Sequence, residues 1–317
     1  MAKDKKDDKG DHPNKPSNSA FKQQRLKAWQ PILTPKPVIS FFIAVGLIFI
    51  LVGVLLFYTS ASTQDFVFRY DQNCTQYDGA SCQITLNVEE DMEAPVYVYY
   101  RLTNFYQNHR RYVKSRDDQQ LRGNVLPYSD VATNCDPLVS NGTSQAQKDV
   151  YFPCGLIAAS MFNDVFQFGE LDVSEKGIAW PSDVENKFRK PEGTIEGTPI
   201  MDDGPLSDFN ITDEHFIVWM RTAALPDFRK LYGIINKDVP KGSYQVTVLN
   251  NFNVTGFDGT KSIVLATTSW LGGKNPFLGI AYMVVGGISL LQGLLFLARH
   301  LIAPRKLGDT SYLRWTR

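Results

Sequence analysis

Two uninterrupted apolar runs, Val38–Tyr58 and Phe277–Ala298, bracket a long middle stretch in which apolar residues come in short, mostly alternating groups. Each run exceeds the ~20 residues that a helix rising ~1.5 Å per residue needs to cross ~30 Å of hydrocarbon. The pattern predicts five segments: a tail 1–37, a transmembrane helix 38–58, a domain 59–275, a second transmembrane helix 276–298 and a tail 299–317. Within the domain, Gln83–Val88 alternates, Val96–Thr103 is β-branched and aromatic, and Phe216–Met220 is a short apolar run, all read as strands. Ser243–Val248 and Ile263–Trp270 read as strands too, and Asp258-Gly259 between them predicts a hairpin, because Asp-Gly suits a type I′ turn. Gly155–Phe162 and Pro226–Asn236 read as helices, the latter opening on a proline suited to a first turn. The expected fold is two transmembrane helices plus a large, mainly antiparallel, β-sandwich-like domain with short helices and long loops.

Charge adds a direction. The formal net charge is zero, yet residues 1–37 carry +5, residues 299–317 carry +4 and the part between carries −9. Lysine and arginine close to a span resist translocation, so both tails are expected in the cytosol and the acidic domain on the exoplasmic side. A cleaved signal peptide ending at Ser60-Ala61-Ser62 is the rival reading of the first run. Its apolar region would be longer than the usual ~7–15 residues, and the leader before it is unusually long.

The same domain holds all four cysteines, Cys74, Cys82, Cys135 and Cys154, and four Asn-x-Thr acceptors at Asn73, Asn141, Asn210 and Asn253. An even cysteine count in an oxidising compartment points to disulfides, with three possible connectivities. Cys74–Cys82 and Cys135–Cys154 are favoured, since each closes a short loop rich in turn formers. No Cys-x-x-Cys spacing occurs and the four histidines are scattered, so no metal is expected.

Enzyme fingerprints are lacking. Gly256–Ser262 lacks the Gly-x4-Gly-Lys-Ser spacing of a phosphate loop, and neither Gly-x-Ser-x-Gly nor His-Glu-x-x-His occurs. His109 stands among Asn108, Arg110 and Arg111 without a nucleophile beside it. The basic run Arg110, Arg111, Lys114, Arg116 faces Asp117 and Asp118 in sequence and reads as a solvated face, an ion-pair network or a docking surface. Its exoplasmic address excludes nucleic acid. No cofactor and no catalytic residue are expected.

Gly279, Gly286 and Gly293 recur every seven residues in the second run, with Tyr282 and Ser289 between them, and Gly46 and Gly53 repeat the spacing in the first. Small stripes let helix backbones approach in lipid, against each other or against a partner. The partner contact is the expectation taken forward. Neither run carries a charge, so two such helices form no ion pathway by themselves.

Five blocks, Phe21–Thr34, Asn104–Asp118, Pro153–Asp164, Phe216–Pro226 and Ser269–Tyr282, resemble the signature segments of the accessory (beta) subunits of type IV P-type ATPases, the phospholipid flippases, also called the ligand-effect modulator family. Lys27 departs from a proline common in that family. The resemblance covers roughly residues 20–300. It implies a two-span glycoprotein with no catalysis of its own, carrying N-linked glycans among membrane lipids and forming a heterodimer with a catalytic ATPase subunit. It further implies a role in exit from the endoplasmic reticulum toward Golgi, endosome or plasma membrane, and in moving lipid from the exoplasmic to the cytosolic leaflet. A cell-surface receptor and a lumenal membrane enzyme are the readings from other classes; neither requires a co-purifying ATPase.

Overall fold

The structure, a computed structural model, describes residues 17–28, 33–77, 79–140, 150–191, 210–304 and 308. Among the described residues, two helices are long and apolar enough to cross a membrane: α1, Pro35–Ala61, and α8, Phe277–Ile302. Both overrun their apolar stretches for local reasons. Proline at the first position of α1 costs no hydrogen bond, since that N–H has no intrahelical acceptor. At α8 the Asn275 side chain accepts from the Phe277 N–H at 3.1 Å, and Pro304 follows just beyond the last turn.

Between them lie eight strands and six short helices among the described residues. The strands are β1 Asp65–Arg69, β2 Ala80–Val88, β3 Val96–Leu102, β4 Val165–Phe168, β5 Val173–Ser174, β6 Phe228–Ile235, β7 Gly242–Asn250 and β8 Lys261–Ala266. The helices are α2 Arg110–Lys114, α3 Asp118–Leu121, α4 Tyr128–Cys135, α5 Leu156–Ala159, α6 Pro181–Asn186 and α7 Glu214–Met220. The strands form two antiparallel sheets, ordered β1-β8-β3-β6-β5 and β2-β7-β4. Alternation decides which side chains face inward. In β3, Val96, Val98, Tyr100 and Leu102 are buried while Tyr97, Tyr99 and Arg101 are not. Ile84 and Leu86 of β2, Val246 and Val248 of β7 and Phe166 of β4 join them in one continuous core. The two sheets therefore share a single apolar interior, bridged where the Phe166 and Tyr232 rings meet at 4.7 Å.

Three local expectations are corrected. Phe216–Met220 is helical, not a strand: in α7 the residues Phe216, Ile217, Trp219 and Met220 are all buried, a face too broad for alternation. Segment 226–236 is the strand β6, not a helix. It pairs along its length with β3, and Gly233 leaves room for Val173 of β5. The last correction concerns Asp258-Gly259, which closes no hairpin. β7 belongs to the three-stranded sheet and β8 to the five-stranded one, so the chain arches between sheets through a 3-10 turn, Thr255–Phe257. Asp258 takes φ 52°, and a Cβ on Gly259 would lie 2.7 Å from the Thr103 carbonyl oxygen.

Candidate functional site

The inner faces of α1 and α8 are made for each other. A Cβ on Gly46 would stand 2.7 Å from the Leu290 nitrogen and 2.9 Å from the Gly286 oxygen; one on Gly286 would meet the Ile50 nitrogen at 2.9 Å. Gly279 faces Phe57 and the Gly53 oxygen at similar range, and Gly293 faces Ile43. The Tyr282 ring lies tilted beside that of Phe49, centroids 5.2 Å apart, and Ser289 is partly buried. The glycine surface expected to meet a partner is thus occupied by the chain's own other helix. What remains toward the surroundings is an apolar exterior, including Phe41, Leu51, Ile288 and Leu291. Ser60 accepts from the Asn275 N–H at 2.8 Å and ties the two helix ends together.

Three signature blocks that lie far apart in sequence converge in the sheet domain. Phe105 sits among the rings of Tyr112, Trp219, Phe228, Phe252 and Phe257. The Trp219 indole N–H donates to the Ile157 carbonyl at 2.7 Å, Gln107 accepts from the Ala223 N–H at 2.8 Å, and Asn108 donates to the Ala224 carbonyl at 2.9 Å. Tyr112 and Ser160 share a hydroxyl contact of 2.8 Å. Of the charge run, Asp117 caps α3 through the Gln119 and Gln120 N–H groups, Arg111 pairs with Asp136, and Arg116 pairs with Asp118. These segments are architectural, and His109 merely precedes α2.

The structure joins Cys74 to Cys82 and Cys135 to Cys154, each with Cα atoms 5.6 Å apart. The second pair sits in its own small apolar cluster with Val131, Val139 and Val150. Ser115 and Gln120 clamp that cluster, accepting from the Leu156 and Cys154 N–H groups. Asn73 and Asn253 are exposed and Asn210 is partly so, while Asn141 lies outside the described residues. In both Asn210 and Asn253 the side-chain oxygen accepts from the N–H and hydroxyl of the threonine two residues on.

Sequence reasoning missed two buried lysines. Lys261 and Asp164 are wholly enclosed and 2.6 Å apart. The ammonium also donates to the Asn250 side chain and the Phe252 carbonyl, while Asp164 accepts from Tyr70 and from the Asn251 and Phe252 N–H groups. Burial pushes the Tyr70 hydroxyl far above its ordinary pKa, with the Asp164 charge adding to the effect. The sequence signal was available in Lys261, a charge inside an otherwise apolar β pattern, but its counter-ion lies 97 residues away.

Lys230 forms no ion pair with a carboxylate among the described residues. Its ammonium caps the end of α7, donating to the carbonyls of Val218, Trp219 and Arg221, over the Trp219 ring at 5.0 Å. Burial pushes its pKa down to about 7. An unfolded lysine holds its proton up to about pH 10.4. Above pH 7 the unfolded chain therefore binds a proton that the folded chain releases, and stability should rise with pH by up to about 1.4 kcal/mol per unit until about pH 10. Below pH 7 this contribution levels off at its minimum. Lys230→Met should flatten the slope, which denaturant midpoints across that window measure; parallel curves for the two proteins would refute the assignment.

Among the described residues no three His, Cys, Asp or Glu side chains gather as metal ligands would. A profile of the LEM3 (ligand-effect modulator 3) family / CDC50 family matches residues 56–306. ALA-interacting subunit 3 of Arabidopsis thaliana is 46% identical, over 96% of this chain and 91% of the relative. Cell cycle control protein 50A of Bos taurus is 42% identical, over 89% and 88%. The phospholipid-transporting ATPase accessory subunit CRF1 of Saccharomyces cerevisiae is 36% identical, over 95% and 89%. With two membrane-length helices flanking a disulfide-braced sheet domain, and with these matches along nearly its whole length, the chain belongs to the CDC50/LEM3 family, the beta subunits of type IV P-type ATPases.

Proposed function

We propose that this chain is the non-catalytic subunit of a heterodimer whose catalytic chain is a phospholipid-translocating P-type ATPase. In this reading the subunit is needed for the partner's folding, for exit of the pair from the endoplasmic reticulum, and for lipid movement from the exoplasmic to the cytosolic leaflet. The observation that carries it is the near full-length match, at 36% identity, to an accessory subunit of a phospholipid-transporting ATPase. The geometry supports it by spending the polar and aromatic side chains of the signature blocks on holding the domain together. The helix pair closes on itself and leaves a lipid-facing exterior for a larger membrane partner.

The same proposal puts both tails in the cytosol and residues 59–275 on the exoplasmic side, with glycans on Asn73, Asn141, Asn210 and Asn253. Asn73 adjoins the disulfide-bonded Cys74, which makes it the acceptor most exposed to competition from early oxidation. Mild-detergent purification of the tagged full chain tests the partner: a large ATPase in near-equal amount is the expected result, and its absence would overturn the reading. Protease treatment of sealed microsomes tests the orientation. The domain should survive as a glycosylated core that full deglycosylation shifts, whereas digestion of the domain with survival of the tails would reverse the topology.

A further inference from the structure

Where α1 begins and α8 ends, the two helices form an open groove of about 410 Å³ whose walls include Leu33, Val38, Ile39, Phe296, Arg299 and His300. Four of these are apolar, and Ile39 is buried. Arg299 and His300 lie about one helical turn beyond Phe296, so a rim carrying the Arg299 charge and an imidazole stands ~4.5 Å further along the axis than the apolar floor. Arg299 and His300 form no ion pair with any described residue. The helices are antiparallel, so the partial charge at the start of α1 offsets that at the end of α8. The sign of the rim is therefore set by the side chains.

A soluble phosphate would use the rim and gain nothing from the floor. A sterol would use the floor and gain nothing from the rim. A phospholipid uses both, one of net negative charge does so without bringing a cation of its own to the rim, and these helices are of membrane length. We propose that this groove binds one anionic glycerophospholipid, its phosphate held by Arg299 and His300 and the start of an acyl chain laid against Val38, Ile39 and Phe296. Phosphatidylcholine offers the same phosphate, but its choline cation is brought beside the Arg299 guanidinium, and that like-charge contact favours the anionic lipid by about tenfold. The proposal rests on the helices spanning a bilayer, and it does not depend on which ATPase is bound.

The test is native mass spectrometry of the full chain, purified with its partner and reconstituted in nanodiscs of phosphatidylcholine containing a minor fraction of phosphatidylglycerol. One phosphatidylglycerol retained on this chain is the expected result. The double variant Arg299→Gln, His300→Gln should abolish the headgroup preference while leaving ATPase co-purification intact. Val38→Trp, which fills the floor, should reduce retention of both lipids, and excess glycerol phosphate should displace neither. Equal retention of the two lipids by the wild type, or a preference that survives the double variant, would overturn the proposal, and displacement by glycerol phosphate would assign the site to a soluble anion instead. Should a variant fail to fold, the wild-type lipid comparison and the competition decide alone. If no ATPase co-purifies, the subunit reading fails while the lipid count on this chain still decides the site.

Discussion

Asp164→Ala should destabilise the sheet domain by about 3–5 kcal/mol, the range expected when one partner of a buried ion pair is removed. The substitution strands the Lys261 ammonium in the core and removes the acceptor of the Tyr70 hydroxyl and of the Asn251 and Phe252 N–H groups. Lys261→Met should cost less. It leaves the carboxylate with three donors and fills a similar volume, while the Asn250 side-chain oxygen and the Phe252 carbonyl lose the donor they shared. The order therefore runs wild type, Lys261→Met, Asp164→Ala. Denaturant unfolding of the purified full chain followed by tryptophan fluorescence gives the three values, because Trp219 is fully buried in the core that would open. An Asp164→Ala protein within about 1 kcal/mol of wild type would show that the pair is not what locks the two sheets.

Gly286→Leu should disrupt the helix pair itself. The added Cβ would stand 2.9 Å from the Ile50 nitrogen and 3.0 Å from the Gly46 oxygen, and these are backbone atoms that cannot rotate away. Relief requires the helix axes to separate, and the whole close contact along Gly46, Gly279 and Gly293 loosens with them. In lipid that contact has no hydrophobic drive to replace it. The expected cost lies at or above the upper end of the ~1–3 kcal/mol typical of overpacking. Gly287→Leu is the control, since its Cβ position is open. Cysteines at Phe42 and Phe296, whose rings meet at 5.8 Å, would be bridged by a short thiol-reactive cross-linker in the Gly287→Leu background and escape it with Gly286→Leu. Loss of ATPase association with cross-linking unchanged would instead mean that the glycine stripe serves a partner.

Much of this architecture is legible in the chain before it folds. The two membrane-length runs need only length and the lack of charge, because crossing hydrocarbon is a requirement each helix meets by itself. β3 is legible because Val96–Leu102 carries its own alternation, α1 begins at a proline, and α8 is bounded by the Asn275 cap and Pro304, each acting on its immediate neighbours. The misread elements were those whose local signal was ambiguous. Phe216–Met220 is too short and too uniformly apolar to show a period, and the last carbonyls of the helix it forms are capped by Lys230 of β6. Segment 226–236 opens like a helix with Pro226 but gains its ladder from β3, more than a hundred residues earlier.

Tertiary structure alone decided the rest. Asp258-Gly259 has hairpin chemistry, yet β7 and β8 find better partners in β2 and in β1 with β3, so the turn became an arch between sheets. The heptad glycines state that something approaches closely without stating what; only the packed pair shows that the visitor is the other helix. Lys261 in β8 is a visible oddity, but its meaning depends on Asp164, Asn250 and Tyr70 arriving together from separate strands and loops. The division has a physical basis. Whatever a segment can satisfy within its own few turns is written locally. Pairing across a sheet, shared polar centres and helix contacts are settled by groups distant in sequence, whose competition is resolved only when the core closes.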